Sequence, residues 1–89
     1  MAESKIFNLE IITPQEKVFE GQVNAVVAPA VYGYLGVLAN HAPMISLLTN
    51  GRLTYRNLQG QTTSHDCPEG GVLEVKENQV TVLLPGLQN

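Results

Sequence analysis

Turn-forming residues break this chain every few positions, and no stretch between them keeps a helical period long enough to sustain a helix. Thr13-Pro14, Gly21, Pro29, Asn40 to Pro43, Asn50-Gly51, Gln59-Gly60, Pro68 to Gly71, Glu77-Asn78 and Pro85-Gly86 divide it into short apolar runs. This spacing predicts an all-β fold, a flattened β-sandwich or barrel of about ten short strands in two sheets. Phe7, Leu9 and Ile11 alternate with Asn8, Glu10 and Ile12, the period of a strand with one buried face. Val23, Val26 and Val27 favour a pleated surface. Met44 to Leu48 is mostly apolar and reads either as a strand buried on both sides or as a helical turn. Asn50-Gly51 carries the strongest short-range hairpin signal. Leu53 to Leu58 and Gln61 to Ser64 read as a further, polar hairpin, and Val72 to Lys76 pairs with Gln79 to Leu84 across Glu77-Asn78. Gly21, Gly36, Asn40, Pro43, Gly51, Gly70 and Gly71 are expected at structural turns.

The densest punctuation is Gly33-Tyr34-Leu35-Gly36-Val37-Leu38-Ala39-Asn40-His41-Ala42-Pro43, which must bend twice. Asparagine tolerates positive φ almost as glycine does, and Pro43 pushes Ala42 into extended backbone. A connector this apolar is built to pack. Beside it, Val31, Tyr32 and Tyr34 put large side chains next to a glycine at a loop tip. They read either as an interface or as a cap on one end of the core.

Length sets one domain over residues 1–89, with strands over about 5–84 and residues 85–89 as a short tail. A hydrophobic fraction of 44% against 15% charged residues excludes a disordered chain. The five basic residues are scattered in a chain of net charge −3, which argues against nucleic acid as a partner. No apolar run reaches the roughly 18 residues of a membrane span, and Met1 to Lys5 lacks the apolar core of a secretion signal, so no direct membrane insertion is expected. Cys67 is single and cannot form an internal disulfide.

Few residues could carry chemistry. Catalysis at His41 would need a nucleophile or carboxylate beside it, which Asn40 and Ala42 do not provide. His65-Asp66-Cys67 could be a metal fragment or a thiol with its base, yet neighbours on a strand face opposite ways and zinc wants about four ligands. A strand end with a part-buried thiol fits better. Gly33-x-x-Gly36 lacks the third glycine and helix of a dinucleotide site, and no phosphate-binding loop is present. Glu10, Glu16, Glu20, Glu69, Glu74 and Glu77 read as a solvated acidic surface. No catalytic residue, metal or cofactor is expected.

Five blocks occur in order from about Leu9 to Leu84: Val18-Phe19-Glu20-Gly21, Gly33-Tyr34-Leu35-Gly36, Asn40-His41-Ala42-Pro43, Gly70-Gly71-Val72-Leu73-Glu74-Val75 and Val80-Thr81-Val82-Leu83. Together they resemble the N-terminal domain of the F-type ATP synthase epsilon subunit. The resemblance implies two packed sheets of about five strands each in a non-catalytic central-stalk (rotor) subunit. Such a subunit links gamma to the c-ring and couples proton flow to ATP synthesis. It also implies a place peripheral to an energy-transducing membrane, on its F1 side, which is the cytoplasmic face in a bacterium. His41, Met44 and Thr13 are then expected toward gamma, and Val31, Tyr32, Gly33 and Tyr34 toward the ring. His41 stays open between this interface role and a structural one in its loop. Members of the family often carry glutamates where Tyr32 and Tyr34 stand, and proline-glycine where Ala39-Asn40 stand. They usually continue into a C-terminal helical hairpin. Only Gly86 to Asn89 follow the last strand here, so no hairpin and no nucleotide binding are expected. Two other classes compete: a free-standing β-domain binding module, and a small hydrolase using His41, His65, Asp66 and Cys67, whose side chains would have to converge in one pocket.

Overall fold

The computed structural model describes residues 5–86, so the expectations for residues 1–4 and 87–89 lie outside it. The described chain forms eight strands: β1 Phe7–Ile12, β2 Lys17–Ala30, β3 Gly33–Val37, β4 Met44–Leu48, β5 Gly51–Asn57, β6 Thr62–Cys67, β7 Gly71–Lys76 and β8 Gln79–Leu83. The all-β sandwich read from the turn spacing is what forms. Its strands are fewer than ten because β2 runs unbroken for 14 residues through Gly21 and Pro29.

That long strand belongs to both layers. Its first half pairs with β1, as in Leu9↔Gly21, and β1, β8, β7 and β4 follow in order. Its second half pairs with β3 on one side and β5 on the other, with β6 beyond β5. A single pairing, Ala30↔Leu48, closes β4 back onto the end of β2. A strand that changes layer must also change which residues face inward. Val23, Val26 and Ala28 are all buried, a spacing of three and then two, and the β2–β5 register shifts between Val23 and Ala25. This bulge reverses the alternation once and turns the strand from one sheet into the other. Asn24, displaced by it, accepts a hydrogen bond from Arg56 Nε at 2.7 Å.

The core lies between the layers, with Leu9, Ile11, Leu53, Leu73 and Val82 wholly removed from water. Each such side chain contributes about 1.5–3 kcal/mol by burial. Phe7, Leu9 and Ile11 face inward as their alternation predicts.

Several turn expectations change. Gly21 and Gly36 are not turns; they sit inside β2 and β3, paired with Leu9 and Val27. At Gly21 the missing Cβ makes room for the Phe19 ring, which lies over the strand and packs against Tyr55 with centroids 4.4 Å apart. Asn50-Gly51 joins no hairpin, because β4 pairs with β7 and β5 with β6. The segment crosses from one layer to the other over Pro29, whose carbonyl accepts from Thr49 N at 2.7 Å. A Cβ on Gly51 would collide with the Pro29 ring, so closeness rather than turn geometry requires glycine there. Gly70, at φ 71°, packs on the Leu48 carbonyl where no side chain fits, and Asn40 takes the expected left-handed angle at φ 64°.

The mirror-type turn with two positive φ values falls instead at Glu77 (52°) and Asn78 (63°), between β7 and β8. Asn78 holds that geometry by bonding in two directions. Its Nδ2 donates to the Ile6 carbonyl at 2.8 Å, and its Oδ1 accepts from Asn40 N at 2.7 Å. One side chain thus ties the β7–β8 turn to the entrance of β1 and to the bend before His41. The change Asn78→Gly, which keeps the backbone angle and deletes both bonds, is expected to cost roughly 1–3 kcal/mol at about 0.5–1.5 kcal/mol per bond. Asn78→Ala adds backbone strain and is expected to cost more. Urea unfolding, with the midpoint lowered and the slope unchanged, checks both.

Candidate functional site

The side chains that could have carried chemistry are kept apart. His41 lies half-buried in the bend between β3 and β4, its Nδ1 2.8 Å from the Ala42 carbonyl oxygen. His65, Asp66 and Cys67 lie in β6, which pairs only with β5 among the described strands. His65 faces the Tyr55 ring at 6.0 Å, Asp66 points outward to Arg52 Nη2 at 3.2 Å, and Cys67 is buried with Sγ 3.8 Å from the His65 carbonyl oxygen. Among the described residues no three His, Cys, Asp or Glu side chains could together hold a metal ion. Burial is the main cause that pushes the Cys67 thiol above its ordinary 9.0, against a backbone hydrogen bond from Leu53 that lowers it. Lys17 is raised by its hydrogen bonds to Glu10 and then Glu20, at 2.8 and 3.0 Å, an exposed ion cluster worth little to stability.

What the fold does assemble is an apolar surface. The strand β4 is not buried on both sides; Met44, Ser46 and Leu48 face inward while Ile45 and Leu47 are 69% and 64% exposed. Pairing then extends the outward face sideways: Leu47↔Val72, Val72↔Leu83 and Ile12↔Leu83 form one row across β4, β7, β8 and β1. At its β4 end, Val31 N donates to the Leu47 carbonyl, which joins the row to the β2–β3 hairpin. That hairpin turns through two residues, Val31 and Tyr32, before Gly33 at φ 128° pairs with Ala30. Val31 is half exposed and Tyr32 fully so. Between hairpin and β4 lies an open groove of about 460 Å³, lined by Val31, Tyr34, Leu35, Met44, Ile45 and Leu47. Monomers rarely leave so continuous an apolar face in water.

The residues expected to face partners divide accordingly. Val31, Tyr32, Gly33 and Tyr34 come together as the tip. Tyr34 is partly committed, because its hydroxyl accepts from Arg52 N at 3.2 Å. Thr13, Met44 and His41 do not form one cluster. Thr13 is 8% exposed and shares a small turn with Glu16, bonding its carbonyl and amide at 3.3 Å; Met44 packs inward against the core. Ile45, Leu47, Val72 and Leu83 escaped the sequence reading. The signal for the β4 pair was the mostly apolar character of Met44 to Leu48, which marks a strand covered on both faces without saying whether the second cover belongs to the same chain.

The ATP synthase delta/epsilon chain beta-sandwich family model matches residues 6–86. The chain is 48% identical over 79 residues to the ATP synthase epsilon chain of Pelotomaculum thermopropionicum, covering 89% of this chain and 58% of that one. It is 44% identical over 88 residues to the epsilon chain of Syntrophobacter fumaroxidans, covering 99% and 63%. The chain therefore spans about three-fifths of the length of these relatives. In fold it resembles a chain of the Euglena gracilis mitochondrial ATP synthase structure containing OSCP, F1 and c-ring, with a TM-score of 0.88 at 20% identity over 99% of this chain and 56% of that one. A chain of the Tetrahymena thermophila mitochondrial ATP synthase central stalk and c-ring gives a TM-score of 0.77 at 15% identity over 92% and 65%.

The buried thiol carries a simple expectation. Folding withholds Cys67 from alkylation, so iodoacetamide labelling at pH 8 should run on the order of 10³-fold slower than in urea for a domain of about 5 kcal/mol stability. The folded state keeps the thiol proton to higher pH than the unfolded chain does. Stability should therefore fall as pH rises past the ordinary value of 9.0 toward the raised folded one. That loss, followed by unfolding midpoints at successive pH values, should be absent in Cys67→Ala.

Proposed function

The chain belongs to the ATP synthase delta/epsilon family, and from that premise we propose that it acts as a non-catalytic rotor subunit joining gamma to the c-ring of a proton-translocating ATP synthase. The observation that carries the reading is the outward row Leu47, Val72, Leu83 and Ile12, continuous with the exposed hairpin tip. An adaptor that passes rotation between two partners needs two adhesive surfaces on one stiff body. Here both surfaces are built on the same strand network, with β4 and its row on one side and the β2–β3 hairpin at the end.

In this reading gamma covers the row, with Thr13 beside Ile12 at one end and His41 and Met44 ahead of Ile45 at the other. Val31, Tyr32, Gly33 and Tyr34 meet the ring. Burying the row converts exposed apolar surface into adhesion, at about 1.5–3 kcal/mol for each fully covered Leu or Val. Interfaces of roughly 1,000 Å² or more are expected on each side. Neither contact makes or breaks bonds; the subunit influences coupling by holding two neighbours at a fixed angle. No helix among the described residues is long and apolar enough to cross a membrane, and attachment to the energy-transducing membrane, on the F1 side, then runs through the ring. No observation favours the hydrolase, whose His41 stands in the β3–β4 bend while Asp66 turns outward and Cys67 is buried on β6, or the free-standing module.

The test is recovery of gamma and c subunits from membranes with the tagged chain. Leu47→Ala, at an exposed position, should leave the unfolding free energy of the isolated domain within about 0.5 kcal/mol of wild type. It should weaken gamma binding by about 10- to 100-fold, the equivalent of about 1.5–3 kcal/mol of lost burial. Recovery of neither partner by the wild-type chain would remove the reading.

A further inference from the structure

Resting on the reading that gamma covers the outward face of β4, β7, β8 and β1, we infer that Glu74 sets the direction of that contact by pairing with a Lys or Arg of gamma. The covering surface of gamma is then an apolar stripe with its cation on one side only, the side toward the β7–β8 turn. Register fixes the order of the bands on this face. Beside Leu47, Val72, Leu83 and Ile12 runs a second outward row, Ile45↔Glu74, Glu74↔Thr81 and Glu10↔Thr81, one side-chain step of about 7 Å along each strand. On the opposite flank of the apolar row opens a hollow of about 390 Å³ whose walls include Thr13, Pro14, Leu84 and Pro85. No charged side chain lines it, neither Glu16 nor Glu69 of the adjoining turns included.

The charges of the second row are unequally committed. Lys17 Nζ holds Glu10 at 2.8 Å and Glu20 at 3.0 Å, so the β1–β2 end of the row is paired within the chain. Glu74 is exposed and has no ion-pair partner among the described residues. Lys76 points the same way one step further from the apolar row, opposite Gln79 and next to Glu77 of the turn. The first charge that a partner meets beside the apolar row, at its β4–β7 end, is therefore the Glu74 carboxylate.

Covering the apolar row covers Glu74 as well. Ile45, 69% exposed, stands directly across from it, at the roughly 5 Å that separates side chains of an antiparallel pair. A partner that buries Ile45 and Leu47 strips water from the carboxylate beside them, and that loss is offset only by a hydrogen-bonded opposite charge. A cation of gamma satisfies it there, whereas the same cation laid over the hollow meets apolar walls. Turning the stripe end for end would replace one ion pair with two unpaired charges. A single carboxylate thus selects one docking direction from two.

The experiment measures affinity of the tagged full chain and its variants for purified gamma at low and at high KCl, with urea unfolding as the check on folding. Glu74→Gln is expected to bind about three- to tenfold more weakly at low salt, and the deficit should shrink at high salt, where charges are screened. Glu74→Lys sets like charges against each other and should bind more weakly than Glu74→Gln, by about tenfold or more. Asp66→Asn makes the same change in net charge on the outer face of the other layer and should bind as wild type. All three should keep the wild-type urea midpoint. If both Glu74 variants bind like wild type or more tightly while Leu47→Ala binds weakly, gamma covers the row without a cation at Glu74, and the inference is overturned with the reading intact. If Asp66→Asn weakens binding as much as Glu74→Gln, net charge and not position is responsible, and the inference is again overturned. If the Glu74 variants and Leu47→Ala all bind like wild type, this face is not the gamma contact, and reading and inference fall together.

Discussion

One strand holds the two layers together. β2 contributes its first half to one sheet and its second half to the other, and the reversal at Val23–Ala25 is what allows both halves to face the same core. Without that extra residue, Val26 and Ala28 would point to solvent and Val27 inward, because a shift of one position exchanges every side chain between faces. The rest of the topology hangs from it: β1 and β5 are positioned by its two halves, β3 returns along its end, and β4 closes the structure through Ala30. The hairpin tip and the apolar row are neighbours because the same strand end meets both.

This arrangement explains how an uncharged surface coexists with a small domain that keeps its own buried core. The ionic groups of the described residues lie on β1, on the start of β2, on β5 to β7 and in the turns beside them, and Lys17 and Arg52 find carboxylates there. The segment from Gly21 to Gly51 is left for burial, partly inside the domain and partly on its outer face. Apolar composition is thus spent in two places. Inward residues stabilise the domain, and outward ones at Ile45, Leu47 and Leu83 are held ready by a scaffold that does not need them.

Much of the fold was legible in the chain because period-two alternation and turn chemistry are local. Phe7, Leu9 and Ile11 declared their face, and Glu77-Asn78 was found as the β7–β8 connection. What stayed hidden depends on contacts distant in sequence. Gly21 looked like a break, and only the Phe19 ring over it shows why a strand continues there. Asn50-Gly51 looked like a hairpin, but its glycine answers to Pro29, a neighbour in space alone. The candidate site followed the same division. The tip was visible as exposed aromatics beside glycine, whereas the row across β4, β7, β8 and β1 exists only once register is known. Thr13 and Met44, expected toward a partner although they lie outside the motif blocks, are turned into the domain by local bonding and by the inward face of β4.

The first and last strands lie side by side and parallel, from Asn8↔Gln79 to Ile12↔Leu83, and Asn78 reaches back to the Ile6 carbonyl across 72 residues. Closing so large a loop is entropically costly before any contact repays it, which places this small domain among slow, high-contact-order folders. A nascent chain emerging from the ribosome can pair β1 with β2 at once, but the other edge of β1 has no partner until β8 is synthesised. That edge must therefore wait, unpaired, until the strand about seventy residues further on has been made, and the apolar row that crosses β4, β7, β8 and β1 is complete only then.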